Sequence, residues 1–219
     1  MPIRSNYEKS LNDLREDIKI MAGMTREALT MSIDSLKNQD LELASSIIEN
    51  DKAINNFEEQ INEKAILLIA KEQPLATDLR KIIVSLKISN DIERIADFAV
   101  NIAKSTQRIG KTDLVKPLIN VPKMGVLVNK MLTNTIDAYK YEDVELALTS
   151  ARIDDQIDAL YKESIEELIA IVTKDVSHIE QVMQLLLVCR YLERAGDHVT
   201  NIAENTIYMV KGKKVDLNN

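Results

Sequence analysis

Apolar residues recur at three- and four-residue steps along almost the whole chain, the spacing that lines one face of an α-helix. Breaks in the pattern divide it into six predicted helices. The first three run from about Ser5 to Lys37, Asp40 to Lys71 and Leu75 to Ile109. After a connector, Gly110–Pro122, a fourth runs to about Tyr141, a fifth from Asp143 to Val172 and a sixth from Ser177 to Lys211. Pro74, Pro117 and Pro122 fall where helices should begin or end. The connector is the expected boundary between two units, residues 1–112 and 113–219. It is short enough for the halves to pack against each other.

The units are two copies of one pattern. Glu93-Arg94-Ile95-Ala96-Asp97, followed by Asn101-Ile102-Ala103, recurs 100 positions later as Glu193-Arg194-Ala195-Gly196-Asp197 and Asn201-Ile202-Ala203. The same offset pairs Leu68-Ile69-Ala70 with Leu168-Ile169-Ala170. Upstream the offset is 103, pairing Ile33-Asp34 with Ile136-Asp137, Asp40 with Asp143, Asp51 with Asp154 and Ile54 with Ile157. The three-residue change is close to one helical turn, so a helix is expected to absorb it. The chain is a duplicated three-helix unit.

Residues four apart stand one above the other on a helix, so Glu93 and Asp97 are neighbours, as are Glu193 and Asp197. Like charges at that spacing cost an isolated helix ~0.2–0.5 kcal/mol and call for compensation. Both pairs extend an apolar stripe, Leu75, Leu79, Ile82, Ile83 and Leu86 in one copy and Ile179, Val182, Met183 and Leu186 in the other. That stripe is expected to face the bundle interior. Carboxylates placed there must be paired, protonated or metal-bound.

The preceding helix adds Asp154 and Asp158 in the second copy, and Asp51 and Asn55 in the first. An antiparallel hairpin closing near Pro74 sets Glu93 opposite Asn55 and Asp97 opposite Asp51. One closing near Asp175 sets Glu193 within a turn of Asp154 and Asp158. Two readings stay open: a metal site, or an internal salt-bridge layer using Arg94 and Arg194. Oxygen ligands favour magnesium, manganese, calcium or iron over the thiolate and imidazole sets typical of zinc. Asn101 and Asn201, one turn further, could add amide oxygens.

Composition narrows the rest. Apolar residues at 45% suffice for a core, and five Gly and four Pro in 219 residues leave few breakers, an all-helical profile. A net charge of −7 argues against a nucleic-acid partner. The basic cluster Lys211, Lys213 and Lys214 reads as a solvated tail. No apolar run approaches the ~20 residues of a membrane span, so a cytoplasmic protein without membrane insertion is expected, with a peripheral role beside a membrane complex left open.

Cys189 reads as a core residue and the methionines as filler. His198 points about 100° away from Asp197, and Asp175-x-x-His178 reads as a helix start. Phosphate-binding loops, dinucleotide fingerprints, nucleophile elbows and zinc spacings are absent from the sequence.

The stretches QPLATDLRKIIVSLKISNDIERIADFAVNIA and LLLVCRYLERAGDHVTNIAE resemble the two signature helices of the PhoU family. The resemblance implies two three-helix bundles related by a pseudo-twofold, and a homodimer. It implies metal ions (iron, manganese, magnesium or zinc) on Glu93/Asp97, Glu193/Asp197 and Asp154/Asp158, with Asp51/Asn55 as a departure in which one carboxylate has become an amide. It also implies a non-enzymatic regulator linking the ATP-binding subunit of a phosphate ABC importer to a sensor histidine kinase, repressing the starvation response. The rival reading from the residues is a carboxylate-bridged metalloenzyme or metal-storage bundle.

Overall fold

The computed structural model describes residues 2–217 of the chain. Its helices are α1 (Pro2–Asn38), α2 (Leu41–Glu72), α3 (Thr77–Ile109), α4 (Asn120–Tyr141), α5 (Val144–Ala151), α6 (Asp154–Lys174) and α7 (Ile179–Lys211). No strand occurs among the described residues. Helices α1–α3 form one three-helix bundle, α4–α7 a second, and the two pack through α3 on α7 and α1 on α4. One continuous apolar core runs through both.

The duplication reaches into the caps. Asp40 accepts from the amides of Glu42 and Leu43 to start α2, and Asp143 accepts from that of Leu146 to start α5. Just before them, Gln39 and Glu142 take the left-handed conformation at φ 52° and 57°.

Burial extends the register further. An offset of 103 superposes the buried positions of α1 on α4 (Met21/Met124, Leu29/Leu132, Leu36/Tyr139) and of α2 on α5–α6 (Ala44/Ala147, Ile61/Ser164, Ala65/Leu168). An offset of 100 does the same for α3 on α7 (Ile82/Val182, Ile88/Val188, Ile92/Leu192, Ile102/Ile202). The three-residue change therefore lies in the turn between the last two helices of each unit, not inside a helix. The first copy closes that turn through Gln73 and Ala76, both at φ 46°; the second uses a short 3₁₀ turn, Val176–His178.

Two further expectations are corrected. The predicted fifth helix is broken: Ile153 donates to Ser150 O and Gln156 to Ile153 O, three-residue bonds that tighten the chain between α5 and α6. The tightening turns Ile153 and Asp154 inward together. The stripe leading to the acidic pairs is also less buried than its periodicity implies. Leu75 is 82% exposed, and Ile83, Ile179 and Met183 are exposed as well. The core line of α3 runs instead through Ile82, Ile88, Ile92 and Ala96, which leaves Glu93 and Asp97 half-buried at its edge.

Helices α3 and α7 cross antiparallel at the pseudo-twofold. His198 Nδ1 lies 2.9 Å from Asp91 Oδ1, and Phe98 stacks on Tyr191 with centroids 6.1 Å apart. Tyr191 is the repeat partner of Asp91 and His198 that of Phe98, so the two contacts are symmetry equivalents. Midway between them Ile95 and Ala195 are fully buried. His198 thus joins the two copies. Cys189 is buried, and burial pushes its thiol up to about 11, which keeps it inert at neutral pH.

Candidate functional site

Each unit brings its acids to one face, between its last two helices. In the second unit α6 contributes Asp154 and Asp158, and α7 contributes Glu193 and Asp197. Asp154 is 9% exposed. Its Oδ2 accepts from Thr200 Oγ1 at 3.3 Å, while its Oδ1 is buried without a partner. Burial, then the negative charges of Asp158, Asp197 and Glu193, push its carboxyl up to about 7. Burial and Asp197 raise Glu193, and burial and Asp158 raise Asp197. Glu193 Oε2 is also buried and unpartnered.

The first unit places Asp51 and Asn55 of α2 beside Glu93 and Asp97 of α3. Burial and Asp97 raise the Asp51 carboxyl, and burial and Asp97 raise Glu93. Asn55 donates its amide to Asp51 Oδ2 at 3.1 Å. The oxygens Asp51 Oδ1 and Asn55 Oδ1 are buried without partners.

The structure adds residues that the motif spacing does not reveal. Glu58, one turn beyond Asn55, is close enough to raise Glu93, and its Oε1 accepts from Asn62 Nδ2 at 2.6 Å. The first face therefore has its own carboxylate in place of the one that Asn55 lacks. At the Glu58 position the second copy carries Tyr161, whose ring lies 5.9 Å from the Arg190 guanidinium. Gly196 is a second such residue: a Cβ there would lie 2.3 Å from Asp154 Oδ1. Its counterpart is Ala96.

The arginines divide unevenly. Arg94 pairs with Asp97 at 3.3 Å and Glu93 at 3.6 Å, but Arg194 lies over Phe98 at 5.2 Å. Arg190 pairs with Glu193 instead. All three are exposed, so none seals its face as a buried salt-bridge layer would. Asn201 turns away to line an open groove with Ile83, Lys87 and Asp91, and Asn101 is half-buried.

Among the described residues, no three His, Cys, Asp or Glu side chains already stand close enough to enclose an ion. The faces are open sets of separate carboxylates with unpartnered oxygens. Such oxygens in like-charged surroundings suit a hard cation, which would supply the missing partner and the missing charge.

The PhoU domain matches the chain twice, over residues 18–106 and 121–206. The chain belongs to the PhoU family. It is 39% identical, over 98% of its length and 99% of the relative's, to a phosphate-specific transport system accessory protein PhoU homolog of Clostridium acetobutylicum. The corresponding Pseudomonas aeruginosa homolog is 34% identical, over 97% of the chain and 88% of the relative. The crystal structure of PhoU from P. aeruginosa superposes with a TM-score of 0.89 at 34% identity, covering 94% of this chain and all of that one. A regulatory PhoU from Streptococcus pneumoniae also gives 0.89, at 28% identity over 96% and 99% of the two chains. Membership in PhoU assigns an accessory and regulatory role in phosphate transport, and not an enzymatic one.

Proposed function

We propose that this PhoU chain is a metal-binding adaptor. It connects the ATP-binding subunit of a phosphate importer to a sensor histidine kinase and represses the starvation response when phosphate is plentiful. It acts as a homodimer in the cytoplasm. Iron, manganese, magnesium or zinc would be held by Asp154, Asp158, Glu193 and Asp197 on one face, and by Asp51, Asn55, Glu93 and Asp97 with Glu58 on the other. The bound cation would neutralise each face. No helix of the described residues is long and apolar enough to cross a membrane, which fits a protein that works through partners.

The observation that carries the metal reading is Asp154: a buried carboxylate with one oxygen unpartnered, surrounded by three more acids. The test is elemental analysis of protein purified without added metal, beside a Glu193→Ala/Asp197→Ala variant. Metal in the first, reduced in the second, supports the reading; metal in neither overturns it. The adaptor role is tested by capture of the importer's ATP-binding subunit and of the kinase's cytoplasmic domain on the immobilised chain.

A further inference from the structure

The basic cluster at the end of α7 does not stand alone. Gly212 caps α7 at φ 71°, and a Cβ there would lie 2.6 Å from Arg80 Nη1. The run Lys211, Lys213, Lys214 is thereby set against the start of α3. Arg80 and Lys87, two turns apart on α3, both lie over the Tyr208 ring of α7, at 5.5 and 5.9 Å. Ile83 stands exposed between them, and Val210 and Val215 are exposed among the lysines. Among the described residues no ion pair involves any of these five cations. Of the nearby acids, Asp216 lies in the same tail, and Asp91 and Glu204 share the groove beside Lys87, Asp91 paired with His198 and Glu204 accepting from the Leu217 amide.

The pseudo-twofold supplies an internal control. At the equivalent end of the molecule Arg108, Thr112 and Asp113 pack beside His178, Glu180, Met183 and Gln184. There Glu180 stands where Arg80 does, and Leu187 where Lys87 does. Only one of the two ends is basic, on a chain whose net charge is −7.

We propose that this end, Arg80, Lys87, Lys211, Lys213 and Lys214 with Ile83, Val210 and Val215, docks on an anionic phospholipid surface. Charge complementarity selects an anionic partner. Side-chain type selects lipid over protein: four of the five cations are lysines, which protein interfaces deplete, and the exposed apolar groups are separate aliphatics, Ile83 on α3 and Val210 and Val215 at the end of α7. Clustered lysines beside a few exposed apolar groups suit shallow contact with acidic headgroups, without insertion. The docking is independent of the metal sites, so it stands or falls separately from the adaptor reading.

The test is co-sedimentation of the full-length chain with vesicles of phosphatidylcholine alone or mixed with phosphatidylglycerol, at low and physiological salt. Binding is expected to the mixed vesicles only and to weaken with salt. Reversal in Lys211→Glu/Lys213→Glu/Lys214→Glu is expected to weaken it by more than roughly a hundredfold, with an unchanged thermal melt. Neutralisation to Gln is expected to weaken it less. Arg108→Glu/Lys111→Glu, at the opposite end, is expected to leave it unchanged. Equal binding to both vesicle types overturns the proposal, as does a triple reversal that binds normally or an opposite-end variant that binds as poorly. Failure to bind vesicles, with a triple reversal that loses the importer's ATP-binding subunit, would assign the surface to an acidic protein partner and overturn the lipid proposal.

Discussion

On α2 and α3 the acids stand half-buried beside an arginine that bridges two of them; on α6 and α7 their burial is uneven, Asp154 buried against a glycine, Glu193 and Asp197 half-buried and Asp158 exposed. Glu93 retains 20% of its side-chain exposure and Glu193 only 13%. Both faces carry the same charge from different positions: Asp51, Glu58, Glu93 and Asp97 against Asp154, Asp158, Glu193 and Asp197. A duplicated site can keep its charge while its burial diverges, and burial sets what each carboxylate costs. The second copy departs through a broken helix that tips Asp154 inward, a missing Cβ at Gly196 that admits it, and the Thr200 hydroxyl, absent at Val100, that holds one of its oxygens.

The largest expected effect falls on Asp154. Its ordinary value is 3.8, and the folded protein raises it to about 7. Between those values the folded chain holds a proton that the unfolded chain has lost, so stability falls as pH rises through that window and stays low above it. About three units correspond to an upper figure of ~4 kcal/mol. In chelated protein Asp154→Asn should therefore raise the melting temperature at pH 8 and flatten its decline between pH 4 and 7. Asp51→Asn, at the more open face, should do so much less. Equal effects of the two on pH-dependent melts would erase the difference between the faces.

Gly196→Ala comes next. The added methyl meets both Asp154 Oδ1 and Ile157 Cδ1, the latter at 3.2 Å. Overpacking of this kind costs ~1–3 kcal/mol, and thermal unfolding should show it. The mirror substitution, Ala96→Gly, strikes nothing: it removes a buried methyl from a helix interior and should cost about 1–2 kcal/mol. Combining Gly196→Ala with Asp154→Ala should restore part of the loss, because the carboxylate that the methyl strikes is gone.

The chain's periodicity, its helix starts at Asp40 and Asp143, the duplication and the acidic pairs were all legible in the sequence. They depend on local spacing, which a helix converts directly into position. What was not legible depends on contacts between helices. The break before Asp154 contains neither Pro nor Gly, and the offset of 103 continues across it unchanged. The location of the three-residue shift was hidden because Leu68-Ile69-Ala70 matches Leu168-Ile169-Ala170 by identity, whereas burial pairs Ala65 with Leu168. Glu58 lies outside the four-residue spacing, and its repeat partner is Tyr161, so comparing the copies points away from it. A helical wheel of α2 alone would have placed Glu58 within a turn of Asn55, facing α3.

The arginines of the two faces differ at a smaller scale. Arg94 bridges Glu93 and Asp97 on an exposed surface, where such pairs contribute ~0–1 kcal/mol. Arg194 contributes through Phe98, a contact at the pseudo-twofold worth ~0.5–1 kcal/mol. Arg94→Gln should lose its effect on the melting temperature in high salt, because screening removes the attraction it supplied. Arg194→Gln should keep most of its effect, because a partly desolvated ring contact is screened less. Identical salt responses would mean that the two arginines play one role.

The smallest expected effect belongs to Glu58, and its sign carries the information. In chelated protein at neutral pH, Glu58 repels Glu93 across α2 and α3, so Glu58→Gln relieves a like-charge contact. Both groups are partly exposed, which limits the gain to roughly 0.2–0.5 kcal/mol. A small stabilisation is nonetheless the reverse of what most substitutions do. With metal bound, the same change removes a negative oxygen from the first face and should lower the melting temperature and weaken binding there, leaving the second face untouched. The crossing of the two melts, variant above parent in chelator and below it in metal, separates a ligand from a bystander. A bystander on the helix surface would shift both melts in the same direction. The reciprocal change, Tyr161→Glu, should add repulsion at the second face and displace Arg190 from its ring, lowering stability in chelator. A gain there instead would mean that Arg190 follows the new carboxylate, and that the faces differ by which residue holds that arginine rather than by how deeply the acids are buried.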